Sequence, residues 1–135
     1  ISAGSFKAVY RGLLKVLIEG DGARRVPVAV LKIRSTGNGE ELQGLHRVGR
    51  HPRLVKVMGL CEGPGFMLLP MELAERGSLK DALGRLEGQV SLQHKLVMMQ
   101  QIAQGMGHLA ENGIVHRKLG AHNVLLFGFD PNDVR

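Results

Sequence analysis

The chain has 135 residues, 44% apolar and 22% charged, which suits one compact domain and excludes a disordered polymer. Its 18 Lys+Arg against 12 Asp+Glu leave a net charge of +6, but aromatics are only 4% and Trp is absent. The scattered cations and the lack of stacking platforms argue against nucleic acid as a partner.

The single cysteine, Cys61, rules out an internal disulfide framework and points to a reducing, cytoplasmic setting. The apolar run 66–71 is far shorter than the ~20 residues that cross a bilayer, so no membrane segment is expected. The chain opens on Ile1 with no charged-then-apolar leader, and so reads as part of a longer protein.

Residues 8–18 are rich in Val, Leu and Tyr and predict a strand. Glu19-Gly20-Asp21-Gly22 supplies the turn after it. Residues 26–34 predict a second strand, with Pro27 near its start, where proline is tolerated. A Gly- and Ser-containing loop at 35–39 leads to a short helix over 40–48, ended by Gly49. The apolar runs 54–61 and 66–71 flank Glu62-Gly63-Pro64-Gly65, a hairpin signal.

The second half reads as helix. Ser78 and Asp81 make a cap-like start for a helix over 78–86. Residues 91–112 are the strongest helical segment. Leu92, Leu96, Met99, Ile102, Ala103, Met106, Leu109 and Ala110 predict its buried face. Asn112-Gly113 supplies the stop. Strands followed by helices imply an α+β fold of two lobes, with a cleft as the expected ligand site.

The most specific motif lies near the end. Ile114-Val115-His116-Arg117-Lys118-Leu119-Gly120-Ala121-His122-Asn123-Val124-Leu125 resembles the catalytic loop H-R-D-L-x-x-x-N of eukaryotic protein kinases. The first motif agrees. Gly4-Ser5-Phe6-Lys7-Ala8-Val9 is similar to the family's phosphate-covering glycine loop, with Ser2 and Lys7 at two glycine places. Val28-Ala29-Val30-Leu31-Lys32 is similar to its lysine strand, and Glu41 stands where the lysine's ion-pair partner belongs. His51-Pro52-Arg53-Leu54-Val55 and Met71-Glu72-Leu73-Ala74-Glu75-Arg76-Gly77-Ser78 resemble the entry to the fourth strand and the hinge. The wording at the hinge is closest to the tyrosine and tyrosine-kinase-like branch.

The resemblance implies a small lobe over 1–71, made of a five-stranded antiparallel sheet and one helix. It implies a hinge over 72–77 and the start of a helical lobe over 78–135. It implies ATP with Mg2+ as cofactors and phosphoryl transfer to protein hydroxyls. Ile1, Val9, Ala29, Met71 and Leu125 would wall the adenine, with Glu72 and Ala74 offering backbone hydrogen bonds. Gly4, Lys32 and Glu41 would serve the phosphates. His116, Arg117 and the residue at 118 would form the catalytic loop, and Asn123 would hold metal.

The sequence departs from this pattern at chemically decisive places. Alanine and lysine should be two residues apart and share a strand face, yet Leu31 takes the lysine's place and Lys32 falls one later. Either the register slides by one or a bulge re-aims Lys32. Lys32 is expected to face the cleft, because Glu41 otherwise lacks a partner. Lys118 stands where the catalytic aspartate belongs, and a protonated lysine cannot accept a hydroxyl proton. The family's D-F-G metal segment does not follow within the chain. Two readings stay open: part of an enzyme, or a pseudokinase module that regulates or scaffolds a protein partner. The six histidines form no H-E-x-x-H and suggest no zinc site.

Overall fold

The computed structural model describes residues 8–18, 20, 22–34 and 47–130. The chain divides into two units. One takes the described residues of Ser2–Asn38 and Lys56–Leu73, the other those of Gly39–Val55 and Ala74–Arg135.

The first unit is a sheet. Strands β1 (Ala8–Ile18), β2 (Gly22–Arg34), β3 (Cys61–Gly63) and β4 (Phe66–Glu72) line up as β1-β2-β4-β3, with antiparallel pairing throughout. The expected sheet has five strands; four lie among the described residues, and residues 1–7 fall outside them. Gly20 (φ 86) and Gly22 (φ 80) adopt the left-handed conformation that the β1–β2 turn needs. The second strand begins at Gly22 rather than at residue 26, because β1 continues to pair with it.

The run 54–61 is not a strand over its length. Val57 makes an isolated bridge with Met71, and Met58 N–H donates to the Pro70 carbonyl (2.8 Å). Proline has no N–H to return, so the ladder breaks here and regular pairing resumes only at Cys61. Val28, Ile33, Met67 and Leu69 are buried and supply the apolar contacts of this unit. Cys61, expected on an apolar core strand, is exposed. It sits in β3, which among the described strands has only β4 beside it.

The second unit is helical. Helix α1 spans Leu79–Arg85 and α2 spans Leu92–Glu111. Ser78 caps α1: its Oγ accepts from Asp81 N–H (3.1 Å) and donates to Asp81 Oδ2 (2.6 Å). Ser91 caps α2 in a reciprocal box, with its Oγ accepting from His94 N–H (3.2 Å) and its own N–H donating to His94 Nδ1 (3.2 Å). Histidine here does the work usually given to Glu or Gln. Asn112 and Gly113 (φ 69) end the helix.

The buried face of α2 shares Leu109 with the expected one but departs from it over the first half of the helix. His94, Met98, Gly105 and Leu109 are buried, whereas Leu92 (72%), Leu96 (57%) and Met99 (66%) are exposed. Apolar residues run around more of the helix than one stripe. The described chain covers the side carrying residues 94, 98, 105 and 109, because two sets of partners lie there. Leu79, Ala82, Met98 and Leu126 form one cluster, joined by Ile102, Val124 and Phe129. The segment after Gly49 forms the other: the Arg53 carbonyl lies against Gly105, and His51 stacks on His108 with ring centroids 4.6 Å apart. His108 Nε2 also reaches the Val48 carbonyl (2.7 Å), and Arg53 Nε donates to Gln104 Oε1 (3.2 Å). Residues 47–48 are helical; the remainder of the helix expected over 40–48 lies outside the described residues.

Candidate functional site

The described residues that the sequence singles out as candidate site residues fall in two groups, one in each unit. The first is the centre of the sheet. Antiparallel register pairs Val9 with Leu31, Ala29 with Met71, and Lys32 with Leu68. Side chains alternate along a strand and partners share a face. Val9, Leu31, Ala29 and Met71 therefore lie on one face, and Lys32 lies on the other with Val30, Leu68 and Phe66. The Lys32 ammonium is 4.5 Å from the centroid of the Phe66 ring, in the range of a cation–π contact. The ladder from Val28 to Arg34 pairs residue for residue with β4, so no bulge re-aims the lysine. Leu31 occupies the place beside Ala29 that the family gives to lysine.

Glu72, the residue expected to open the hinge, is tied down locally. Its Oε1 accepts from Lys56 N–H (2.8 Å), and its own N–H donates to the Lys56 carbonyl (3.0 Å). In the other unit the Ala74 carbonyl accepts from Gly77 N–H (3.0 Å), closing a turn in which Gly77 has φ 74. Ile1, Gly4 and Glu41 lie outside the described residues.

The second group is the loop 114–126. Two backbone bonds fix its far end: Leu79 N–H donates to the Val124 carbonyl (2.7 Å), and Leu126 N–H donates to the Gly77 carbonyl (2.9 Å). Leu125 bridges Ser78, and Leu126 is buried among Leu79, Ala82 and Met98. The short 3-10 turn Ala121–Asn123 carries the asparagine. The His94 ring stacks on Phe129, centroids 4.2 Å apart and nearly parallel, which holds the segment after the loop.

Within this frame the motif residues brace one another. Lys118 N–H donates to His116 Nδ1 (3.2 Å), so the ring proton sits on Nε2. Asn123 Nδ2 donates to the Lys118 carbonyl (2.7 Å). A carbonyl can only accept, which fixes the amide orientation and turns Oδ1 away from that bond. Arg117 has φ 65, the one positive value among non-glycine residues described. Such strain persists where surrounding contacts over-determine a backbone, and it clusters at functional loops. Lys118 is exposed.

Residues 114–126 contain His116, Arg117, Lys118 and His122 but no carboxylate. A hard divalent cation needs several oxygen ligands and at least one carboxylate in sites of this kind. Asn123 Oδ1, with no carboxylate in the same loop, does not fit that need. Among the described residues no group of three or more His, Cys, Asp or Glu could hold a metal. No helix of the described residues is long and apolar enough to cross a membrane.

Sequence reading alone did not reveal Phe66 as the partner of Lys32 or the clamp of the loop by Gly77 and Leu79. Both join residues far apart in the chain, and only register and tertiary contact bring them together.

Comparison with known proteins gives a consistent picture. The family model described as protein tyrosine and serine/threonine kinase matches residues 1–130. The chain is 33% identical over 131 residues to tyrosine-protein kinase SYK of Gallus gallus, covering 93% of this chain and 21% of that protein. It is 36% identical over 114 residues to tyrosine-protein kinase Srms of Mus musculus, covering 80% of this chain and 23% of that protein. It is 29% identical over 143 residues to fibroblast growth factor receptor 1 of Dugesia japonica, covering 93% of this chain and 16% of that protein. The chain thus spans between a sixth and a quarter of the length of these relatives.

Proposed function

Because the chain belongs to the protein tyrosine and serine/threonine kinase family, we propose that it is part of a tyrosine-kinase-like domain whose catalytic loop is chemically silent and which serves as a regulatory or scaffolding module. One observation carries the reading: Lys118 occupies the aspartate position of a loop whose bracing is otherwise in place. The missing aspartate would accept the substrate hydroxyl proton. An ammonium has three donors and no acceptor, so it cannot take that role. Loss of a general base costs roughly 10²–10⁴ in rate.

The sheet supports the same reading. An adenine ring would meet the apolar face of Val9, Ala29 and Met71. Lys32 stands on the other face, so the charge that neutralises phosphate in kinases is replaced there by Leu31. The residues present fit the base of a nucleotide better than its phosphates. When bound, Mg2+ would supply charge neutralisation to the phosphates, but this loop offers it a poor donor set. Localisation on the cytoplasmic side of the cell suits an exposed free cysteine.

A second reading has its own support. The intact frame around Lys118 is what a single substitution in an active loop would leave. Phosphotransfer by a chain that carries the whole kinase domain decides between the two. Transfer to peptide hydroxyls should be at background, against the ~1–100 s⁻¹ usual for kinases. Turnover at the usual kinase rate in the natural sequence would overturn the silent reading. Gain of turnover on Lys118→Asp would favour the decayed enzyme, and continued silence would mean that Leu31 and the other departures suffice.

A further inference from the structure

The β1–β2 hairpin is longer than the sheet it belongs to. Strand β4 pairs with β2 only from Val28 to Arg34. Among the described residues, 22–27 of β2 have β1 alone as a partner, down to Ile18 opposite Gly22. The outer part of the hairpin is therefore a two-stranded arm, and ribbons of two strands are marginal by themselves.

One face of this arm has a simple grid. Leu13 lies opposite Pro27, Lys15 opposite Arg25, and Leu17 opposite Ala23. All six are exposed, with Leu13 at 65% and Leu17 at 79%. The rows repeat every two residues, or roughly 7 Å. An apolar row, a cationic row and a second apolar row thus follow one another. Like charges directly opposite on a strand pair destabilise it, and no neighbour of the Lys15–Arg25 pair on this grid is anionic. The acidic residues between positions 8 and 34 are Glu19 and Asp21 of the turn, which lie outside the described residues. As it stands, the face costs the arm stability and leaves two leucines in water.

We propose that this face is a docking surface for an extended acidic peptide of a partner protein, in which apolar and carboxylate side chains alternate on one side. Such a strand places apolar, acidic and apolar groups at the same spacing as the grid. The carboxylate would neutralise Lys15 and Arg25 together, and the flanking apolar side chains would cover Leu13 and Leu17. An anionic lipid surface fits less well. The cations sit between the apolar rows rather than at their rim, so inserting both leucines would draw the charges inward. The six residues of the face also include no aromatic group of the kind that anchors at an interface.

The test uses the whole chain and a fluorescent peptide of three Val-Thr-Glu-Thr repeats, followed by anisotropy. The expected result is saturable binding that weakens as salt rises, with no binding of the matched Val-Thr-Lys-Thr peptide. The informative variant is Lys15→Glu. It converts a like-charge pair into an opposite-charge pair, so the melting temperature should hold or rise while peptide binding falls at least about tenfold. Leu17→Ser should weaken binding without changing its salt dependence. Equal binding of the acidic and basic peptides, or unchanged binding by Lys15→Glu, overturns the proposal. So does binding to phosphatidylserine vesicles by a chain that ignores the acidic peptide. Should Lys15→Glu fail to fold, Arg25→Gln relieves the like-charge pair by removing one cation, and unchanged peptide binding by it overturns the proposal as well.

Discussion

Two glycines in α2 make a controlled comparison. Gly105 and Gly107 both lie within Leu92–Glu111, so alanine should gain about 1 kcal/mol of helix propensity at either site. Their surroundings differ. A Cβ on Gly107 would meet nothing within 4 Å, whereas one on Gly105 would lie 3.0 Å from the Arg53 carbonyl oxygen and 3.4 Å from Leu54 Cδ2. The first distance is inside the ~3.3 Å at which C···O contacts normally begin. The obstacle is backbone, held by the Arg53 N–H bond to His51 Nδ1 (3.1 Å), so it cannot simply rotate away. Overpacking of this sort costs about 1–3 kcal/mol. Gly107→Ala should therefore stabilise the helical unit by about 1 kcal/mol, while Gly105→Ala should come out between neutral and about 2 kcal/mol destabilising. Urea titration of the full chain, followed by helical circular dichroism, measures both. Equal stabilisation by the two substitutions would refute the packing of the 51–54 segment against α2, and with it the reason that face is buried.

Further expectations follow from the caps, the loop and the sheet. Ser91→Ala removes the acceptor for His94 N–H and should cost about 1 kcal/mol in the same titration, with Ser91→Asp largely restoring it. Arg117→Gly relieves a positive φ and should leave stability unchanged or raise it by up to about 1 kcal/mol; a loss of that size would mean the arginine side chain holds the loop. The paired swap Leu31→Lys with Lys32→Leu moves the ammonium to the face of Ala29 and Met71. It should increase the rise in melting temperature produced by ATP, corresponding to roughly tenfold tighter binding. No change would argue against that face as the nucleotide face. Phe66→Leu removes the ring beneath Lys32 and should cost about 0.5–1 kcal/mol, read by thermal melting.

Much of this protein is written in local sequence. The strand over Ala8–Ile18, the Gly20 and Gly22 turn, and the Ser78 and Ser91 caps rest on interactions within a few residues, so propensity and spacing suffice. The order of motifs from Gly4 to Asn123 likewise identifies the family, because each motif is a short pattern with its own chemistry. The displaced lysine and the lysine at position 118 are equally plain in the sequence.

Tertiary structure decided the rest. Periodicity selected Leu92, Leu96, Met99 and Leu109 among the core; Leu109 is buried, but the first three are exposed and His94, Met98 and Gly105 are buried instead. A helix with apolar residues on several sides does not announce which side its neighbours will cover. The fate of Lys32 depended on whether the ladder slipped or bulged, and unbroken pairing with β4 puts the ammonium over a ring 34 positions away. The bracing of Lys118 by His116 and Asn123 needs the loop pinned at Gly77 and Leu79, which are remote in sequence. Hydrogen-bonded pairing between strands, rather than the preference of any one segment, fixes the face of the sheet from which Lys32 points.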